Sequence, residues 1–140
     1  MRTPVPKKIF LKNNKEFLSQ IPYWEKEYSA SDDKIINFTK KEFINAKASF
    51  TENKLDILGH AVMEDWETPY MRELAYIATQ NRGTVLEVGF GMGISAAFIQ
   101  KYPIDKHIII EANKEVANKA RHFAKTAIHS VQILVGLWDK

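Results

Sequence analysis

Along this chain the apolar residues change their spacing, and each change marks an element. After Thr68 and Pro69, a cap followed by a first-turn proline, Met71, Leu74, Ala75 and Ala78 recur at helical intervals until Gly83. Apolar positions three and four apart share one face of a 3.6-residue repeat, so the spacing predicts a helix over residues 69 to 80. Next comes VLEV, residues 85 to 88, a β-branched run closed by glycines that reads as a buried strand. Ile94, Ala97, Phe98 and Lys101 trace a second helix over residues 94 to 101, and Pro103 closes it. HIIIEAN, residues 107 to 113, is a second buried strand with Glu111 at its end, and Asn113 is placed to cap a third helix whose Val116, Ala120, Phe123 and Ala124 lie on one side. VQILVG, residues 131 to 136, is a third strand. This alternation predicts an α/β fold, the first βαβαβ half of a parallel, doubly wound sheet.

Upstream of residue 55 the texture differs. Aromatics are scattered among lysines and asparagines, with helical spacing at Phe10 and Leu11 and then at Phe17, Leu18 and Ile21. Residues 1–54 are therefore expected to form a helical N-terminal arm, and residues 55–140 an incomplete Rossmann-like domain.

Composition narrows the chemistry. A chain of 140 residues with 45% hydrophobic positions is long enough for one core. No cysteine is present, which excludes disulfides, thiolate nucleophiles and cysteine-based zinc sites within it. No window has the roughly 18 apolar residues of a membrane span, and no export signal is visible, so the expected setting is cytoplasmic. Twenty basic residues against 17 acidic ones are spread along the chain without a basic stripe, which points away from nucleic acid. His60, His107, His122 and His129 lack metal-ligand spacing and read as structural or surface residues, with no metal expected.

The candidate chemistry lies in VLEVGFGMGIS, residues 85 to 95. Gly89, Gly91 and Gly93 occupy the turn after the first strand, at the sheet edge where ligands of such folds bind. Glycine permits positive φ and removes the Cβ that would keep a ligand from the main chain. A dinucleotide fingerprint needs its third glycine or alanine where Ile94 stands, so the register is wrong for NAD. Glu87 stands two residues before the first glycine, at the strand's mouth. Glu111, ending the second strand 22 residues after Gly89, suits the two hydroxyls of a ribose.

The G-x-G-x-G turn with its preceding acid resembles motif I of class I S-adenosylmethionine-dependent methyltransferases. Together with LDILGHAVMEDWETPYMRELA, PIDKHIIIEAN and GLW, it resembles the guanidinoacetate N-methyltransferase family and its arginine methyltransferase relatives, from about Leu55 to Trp138. The resemblance implies S-adenosylmethionine as cofactor, with Met63 and Met71 lining its pocket, Gly89, Phe90, Gly91, Met92, Gly93 and Ile94 holding the methionine moiety, and Glu87 near its ammonium group, directly or through water. It places Glu111 on the ribose, Ala112 and Asn113 beside the adenosine, Leu137 and Trp138 near the adenine, and Glu67 on the substrate guanidinium. A carboxylate can accept two parallel N–H bonds from that planar cation and take the proton lost on methylation, so Glu67 is the expected catalytic and substrate-binding residue. Read without the resemblance, Met71 is as much core as pocket and Trp138 is plain packing.

The chain departs from the family at three places. Gly93 stands where mammalian members have alanine, and Phe43 and Phe50 align with a tryptophan and a tyrosine of an arm that folds over the site. A fourth strand, whose aspartate faces the guanidinium opposite the glutamate, is missing from these residues. The expected partners are thus a small guanidino substrate and a further segment or chain that completes the sheet, with no membrane. Three functions stay open: methylation of guanidinoacetate to creatine, methylation of arginine, free or in a protein, and cofactor binding without catalysis.

Overall fold

The computed structural model describes residues 38 to 139, so the helical spacing at Phe10 to Ile21 lies outside the described residues. From Thr39 onward the chain forms one compact unit. It opens with helix α1 (Lys40–Asn45), strands β1 (Ala48–Phe50), β2 (Lys54–Ile57) and β3 (His60–Glu64), and a 3-10 turn over Asp65–Glu67. Helix α2 (Thr68–Ala78), strand β4 (Thr84–Val88), helix α3 (Ile94–Ile99), strand β5 (Lys106–Glu111), helix α4 (Lys114–Thr126) and strand β6 (Ser130–Val135) follow.

Thr39 starts α1 with a reciprocal cap: its hydroxyl accepts the Glu42 N–H at 3.2 Å, and its own N–H donates to the Glu42 carboxylate at 2.6 Å. That main-chain N–H holds the Glu42 carboxyl below its ordinary range.

Strands β1, β2 and β3 form an antiparallel meander in which Phe50 pairs with Leu55 and Leu55 with Met63. The strand at Ala48–Phe50 falls inside the stretch expected to be a helical arm, and β2 and β3 were not expected as strands at all. The signals are short but physical. Leu55 and Ile57 alternate inward and are fully or almost fully buried, and Leu58 and Gly59 both have positive φ, as a two-residue hairpin of the primed type requires.

The three later strands lie in the order β4-β5-β6, all parallel, with Val85 opposite His107 and His107 opposite Val131. Because both crossovers step in the same direction and such crossovers are right-handed, α3 and α4 belong on the same face. Burial agrees. Ala96 of α3 and Val116 and Ala120 of α4 close a core with Ile109, Leu55, Ile57 and Phe90, while Ala75 of α2 packs with Val85, Ile99 and Ile104. The sequence reading placed Ala97 on the buried side of α3; the structure turns that helix so that Ala96 and Ile99 are buried and Ala97 is exposed. A residue on a two-turn helix is assigned to a face by only one or two neighbours, so a small rotation moves it.

The architecture is the expected α/β parallel half, Rossmann-like in its β4-α3-β5-α4-β6 order. Among the described residues it is wound on one face only. Leu86, Val88 and Leu134 on the other face are exposed.

Candidate functional site

Strands β4 and β5 end at the same edge, and there the glycine turn meets Glu111. The Glu111 carboxylate is buried at the junction: one oxygen accepts the Phe90 N–H at 2.7 Å and the other accepts the Asn113 N–H at 2.9 Å. Each carboxylate oxygen has two acceptor sites, so the acid that clamps turn to strand keeps capacity for two hydroxyl donors. The Gly89 N–H donates to the Ile110 carbonyl at 2.7 Å, which fastens the start of the turn to β5.

The three glycines do different work. All have left-handed φ, of 84°, 57° and 79° for Gly89, Gly91 and Gly93. A Cβ on Gly91 would lie 2.8 Å from the methyl of Met63, and one on Gly93 would lie 2.7 Å from the Phe90 ring. At these two positions the chain's own side chains take the space that the sequence reading reserved for a ligand. Only at Gly89 does the missing Cβ leave open room, with no atom within 4 Å of its place.

Met63 reaches the turn from β3 and its sulfur accepts the Met92 N–H at 3.3 Å. Glu67 follows within the 3-10 turn, half-buried, where its carboxylate accepts the Glu64 N–H at 2.8 Å. Met71 is half-buried in the first turn of α2. A cavity of about 360 Å³ opens beside the turn, lined by Phe50, Thr51, Phe90, Gly91, Met92 and Lys119. The Lys119 ammonium lies 4.9 Å from the centre of the Phe50 ring. Phe43 and Phe50, expected in an arm over the site, pack against the core.

Other expected residues sit differently. Asn113 caps α4 as expected, its oxygen accepting the Glu115 and Val116 N–H groups at 3.0 and 3.1 Å. Its amide donates to the carbonyls of Phe43 and Ala46, so this side chain has every hydrogen-bonding site engaged, and the residue is fully buried with its main-chain N–H on Glu111 and its carbonyl on the Ala117 N–H. Trp138 is exposed, Leu137, Ala112 and Ile94 are half-buried, and the Gly136 N–H ties the end of β6 to the Glu111 carbonyl at 3.0 Å. Glu87 does not stand at the strand's mouth. It is 9% exposed and one oxygen lies 3.3 Å from Nε2 of His107, on the helix-covered face of the sheet.

Residues 35–140 match the family model described as guanidinoacetate N-methyltransferase. The chain belongs to that family. A protein arginine N-methyltransferase 2 of Candida glabrata is 34% identical over 117 residues, 79% of this chain and 28% of that protein. The Kluyveromyces lactis protein of the same name is 40% identical over 82 residues, 56% of this chain and 20% of its own length. The chain thus spans less than a third of the curated relatives it matches. Among solved structures, a spermidine synthase in complex with a transition-state analogue gives a TM-score of 0.46 at 17% identity, over 64% of this chain and 39% of its own. That likeness is too slight to add to the fold already described.

In this member of the guanidinoacetate N-methyltransferase family, sequence reasoning missed the cavity residues Thr51 and Lys119, which sit on a turn and on the polar side of α4 with no pattern to mark them. It read His107 as a structural or surface residue, and the structure buries it completely. The signal there was its place in HIII, two residues from Ile109 and therefore on the same buried face.

Proposed function

We propose that this chain forms the cofactor-binding part of an S-adenosylmethionine-dependent N-methyltransferase that acts on a guanidino group. The observation that carries the reading is the Glu111 carboxylate, held between Phe90 and Asn113 beside the open main chain of Gly89. S-adenosylmethionine, when bound, supplies a methyl group on a sulfonium. Glu111 would accept the ribose hydroxyls on its remaining lone pairs, and the main chain at Gly89 would receive the methionine end. Met63 and Met71, with the Phe90 to Ile94 turn, would wall that end, and Ala112, Asn113, Leu137 and Trp138 would lie on the adenosine side.

Glu67 would hold and orient the guanidinium. One of its oxygens already accepts the Glu64 N–H, which fixes the side chain, and the carboxylate retains acceptor sites for two parallel N–H donors. Positioning of this kind supplies much of the acceleration in an in-line displacement, and the same carboxylate can take the proton that the attacking nitrogen loses.

Two acceptors fit a guanidino site. The family description favours guanidinoacetate, with creatine as product, whereas the names of the relatives favour arginine. We assign the chain to the cytoplasm; among the described residues no helix is long and apolar enough to cross a membrane.

Calorimetric titration with S-adenosylmethionine and with NAD tests the first half of the proposal, and transfer of labelled methyl to guanidinoacetate, arginine and an arginine-containing peptide tests the second. Binding of S-adenosylmethionine alone is expected. In whichever longer form transfers methyl, Glu67→Gln is expected to leave cofactor affinity unchanged and abolish transfer. NAD binding, or transfer unaffected by that change, would overturn the reading.

A further inference from the structure

The cavity beside the glycine turn has no part in the proposed cofactor site. Its lining of Phe50, Thr51, Phe90, Gly91, Met92 and Lys119 includes none of Glu67, Gly89 and Glu111. Phe90 divides the two places: its N–H faces Glu111, while its ring packs at 5.5 Å against Phe123 on the helix side of the sheet. A volume of about 360 Å³ falls in the range of small-molecule pockets. The walls are largely apolar, with Phe90 buried and Phe50 and Met92 half-buried. The Thr51 hydroxyl is engaged within its own turn, where it accepts the Lys54 N–H at 3.1 Å and donates to the Lys54 carbonyl at 3.4 Å. Lys119 is the one charged residue of this lining.

Lys119 has been diverted from its natural partner. Glu115 stands four residues before it on α4, the spacing and order that favour an ion pair on a helix surface. Instead Glu115 accepts the Ala48 N–H at 2.6 Å, and among the described residues Lys119 pairs with no carboxylate. Its ammonium lies 4.9 Å from the centre of the Phe50 ring, which holds the cation in place without neutralising it. Lys101 lies at the same 4.9 Å from the Phe98 ring but does not line this cavity. A lysine resting on a ring is ordinary packing. The open volume and the absent carboxylate set Lys119 apart.

We propose that this cavity is a second small-molecule site, for a compact organic anion with a flat apolar body and one carboxylate. The body lies against Phe50, Phe90 and Met92, and the carboxylate meets Lys119. The exposed side of α4 favours such a charge, since Lys114, Arg121 and Lys125 stand there against Glu115 alone, and a positive surface raises the local concentration of anions.

The experiment titrates the full chain, labelled with nitrogen-15, with 2-naphthoate and with its neutral counterpart 2-naphthylmethanol. Amide shifts are expected to concentrate at Phe50, Gly91 and Met92, with the acid bound about three- to tenfold tighter than the alcohol, the scale of one partly exposed ion pair. Lys119→Gln is expected to abolish that preference and leave the alcohol's affinity unchanged, whereas Lys101→Gln changes neither. Millimolar ligand that leaves those amides unmoved would overturn the proposal, as would equal affinity for acid and alcohol or an equal loss in Lys101→Gln. The titration is then repeated with saturating S-adenosylmethionine. Naphthoate is expected to stay bound, and its displacement would make the cavity part of the cofactor site and sink the proposal of a second one. A wild type that takes up naphthoate but no S-adenosylmethionine would remove the cofactor reading and leave this site standing.

Discussion

Each strand of the parallel sheet carries a nearly continuous apolar run, yet its two faces have opposite fates. On one face Val85, Glu87, His107, Ile109 and Glu111 are all 9% exposed or less. On the other, Leu86 is 59% exposed, Val88 56% and Leu134 43%. The difference comes from direction of travel. The chain steps from β4 to β5 to β6 without reversing, so both right-handed crossovers deliver their helices to the same side. The covered face also holds the buried polar groups of the sheet, Glu87, His107 and Glu111, because a carboxylate or imidazole there can be met by fixed donors such as the Phe90, Asn113 and Gln100 N–H groups. The open face carries Leu86, Val88 and Leu134 toward the carboxyl ends of the strands, with Thr84, Lys106, Ser130 and Gln132 on the same face. Exposed apolar area of this kind marks a surface made to be covered.

The largest effect that would sharpen this contrast is expected at Ile109, which is completely buried. Ile109→Ala is expected to cost about 2–5 kcal/mol, the transfer and cavity terms of a large-to-small core change, measured by urea unfolding. Asn113→Ala should follow at roughly 2–3 kcal/mol, since it removes the cap of α4 and leaves the Phe43 and Ala46 carbonyls without their donor.

Gly89→Ala is expected to cost about 1–2 kcal/mol from the left-handed backbone alone, because nothing crowds the new methyl. Its second signature is weaker S-adenosylmethionine binding in calorimetry, since the methyl enters the room left for a ligand. Glu111→Ala is expected to lower that affinity by about 1–3 kcal/mol through the lost ribose bonds. Leu86→Ser closes the series, within about 0.5 kcal/mol of the wild type and with less aggregation. A loss as large as that of Ile109→Ala would break the comparison, for it would mean that the second face is covered in solution.

Much of this protein could be read from residue order alone. Helix α2 with Pro69 in its first turn, the strands at VLEV, HIIIE and VQILV, the Asn113 cap, and the meeting of a glycine turn with Glu111 all follow from local rules: which side chains share a face, which residue satisfies a free N–H, and where a parallel strand must end; the cap expected of Thr68 does not, because that residue lies inside the helix and its hydroxyl donates to the Asp65 carbonyl of the preceding turn. Local rules act over a few residues, and these features do too. The meander was missed because its strands are three to five residues long, too short for a period to emerge from the scattered lysines and asparagines around them. Three further matters depended on side-chain packing that no local pattern announces, in all but the Gly93–Phe90 contact with partners far away in the chain. Gly91 and Gly93 proved to be filled by Met63 and Phe90, Glu87 turned inward to His107, and the Asn113 side chain was fully engaged by α1. The sequence alone determined that a bare turn and the acid ending the next strand would come to one sheet edge. Only the tertiary structure decided which glycine stays open and which acid faces it, because a side chain's direction is set by whatever packs against it, and that neighbour can lie tens of residues away.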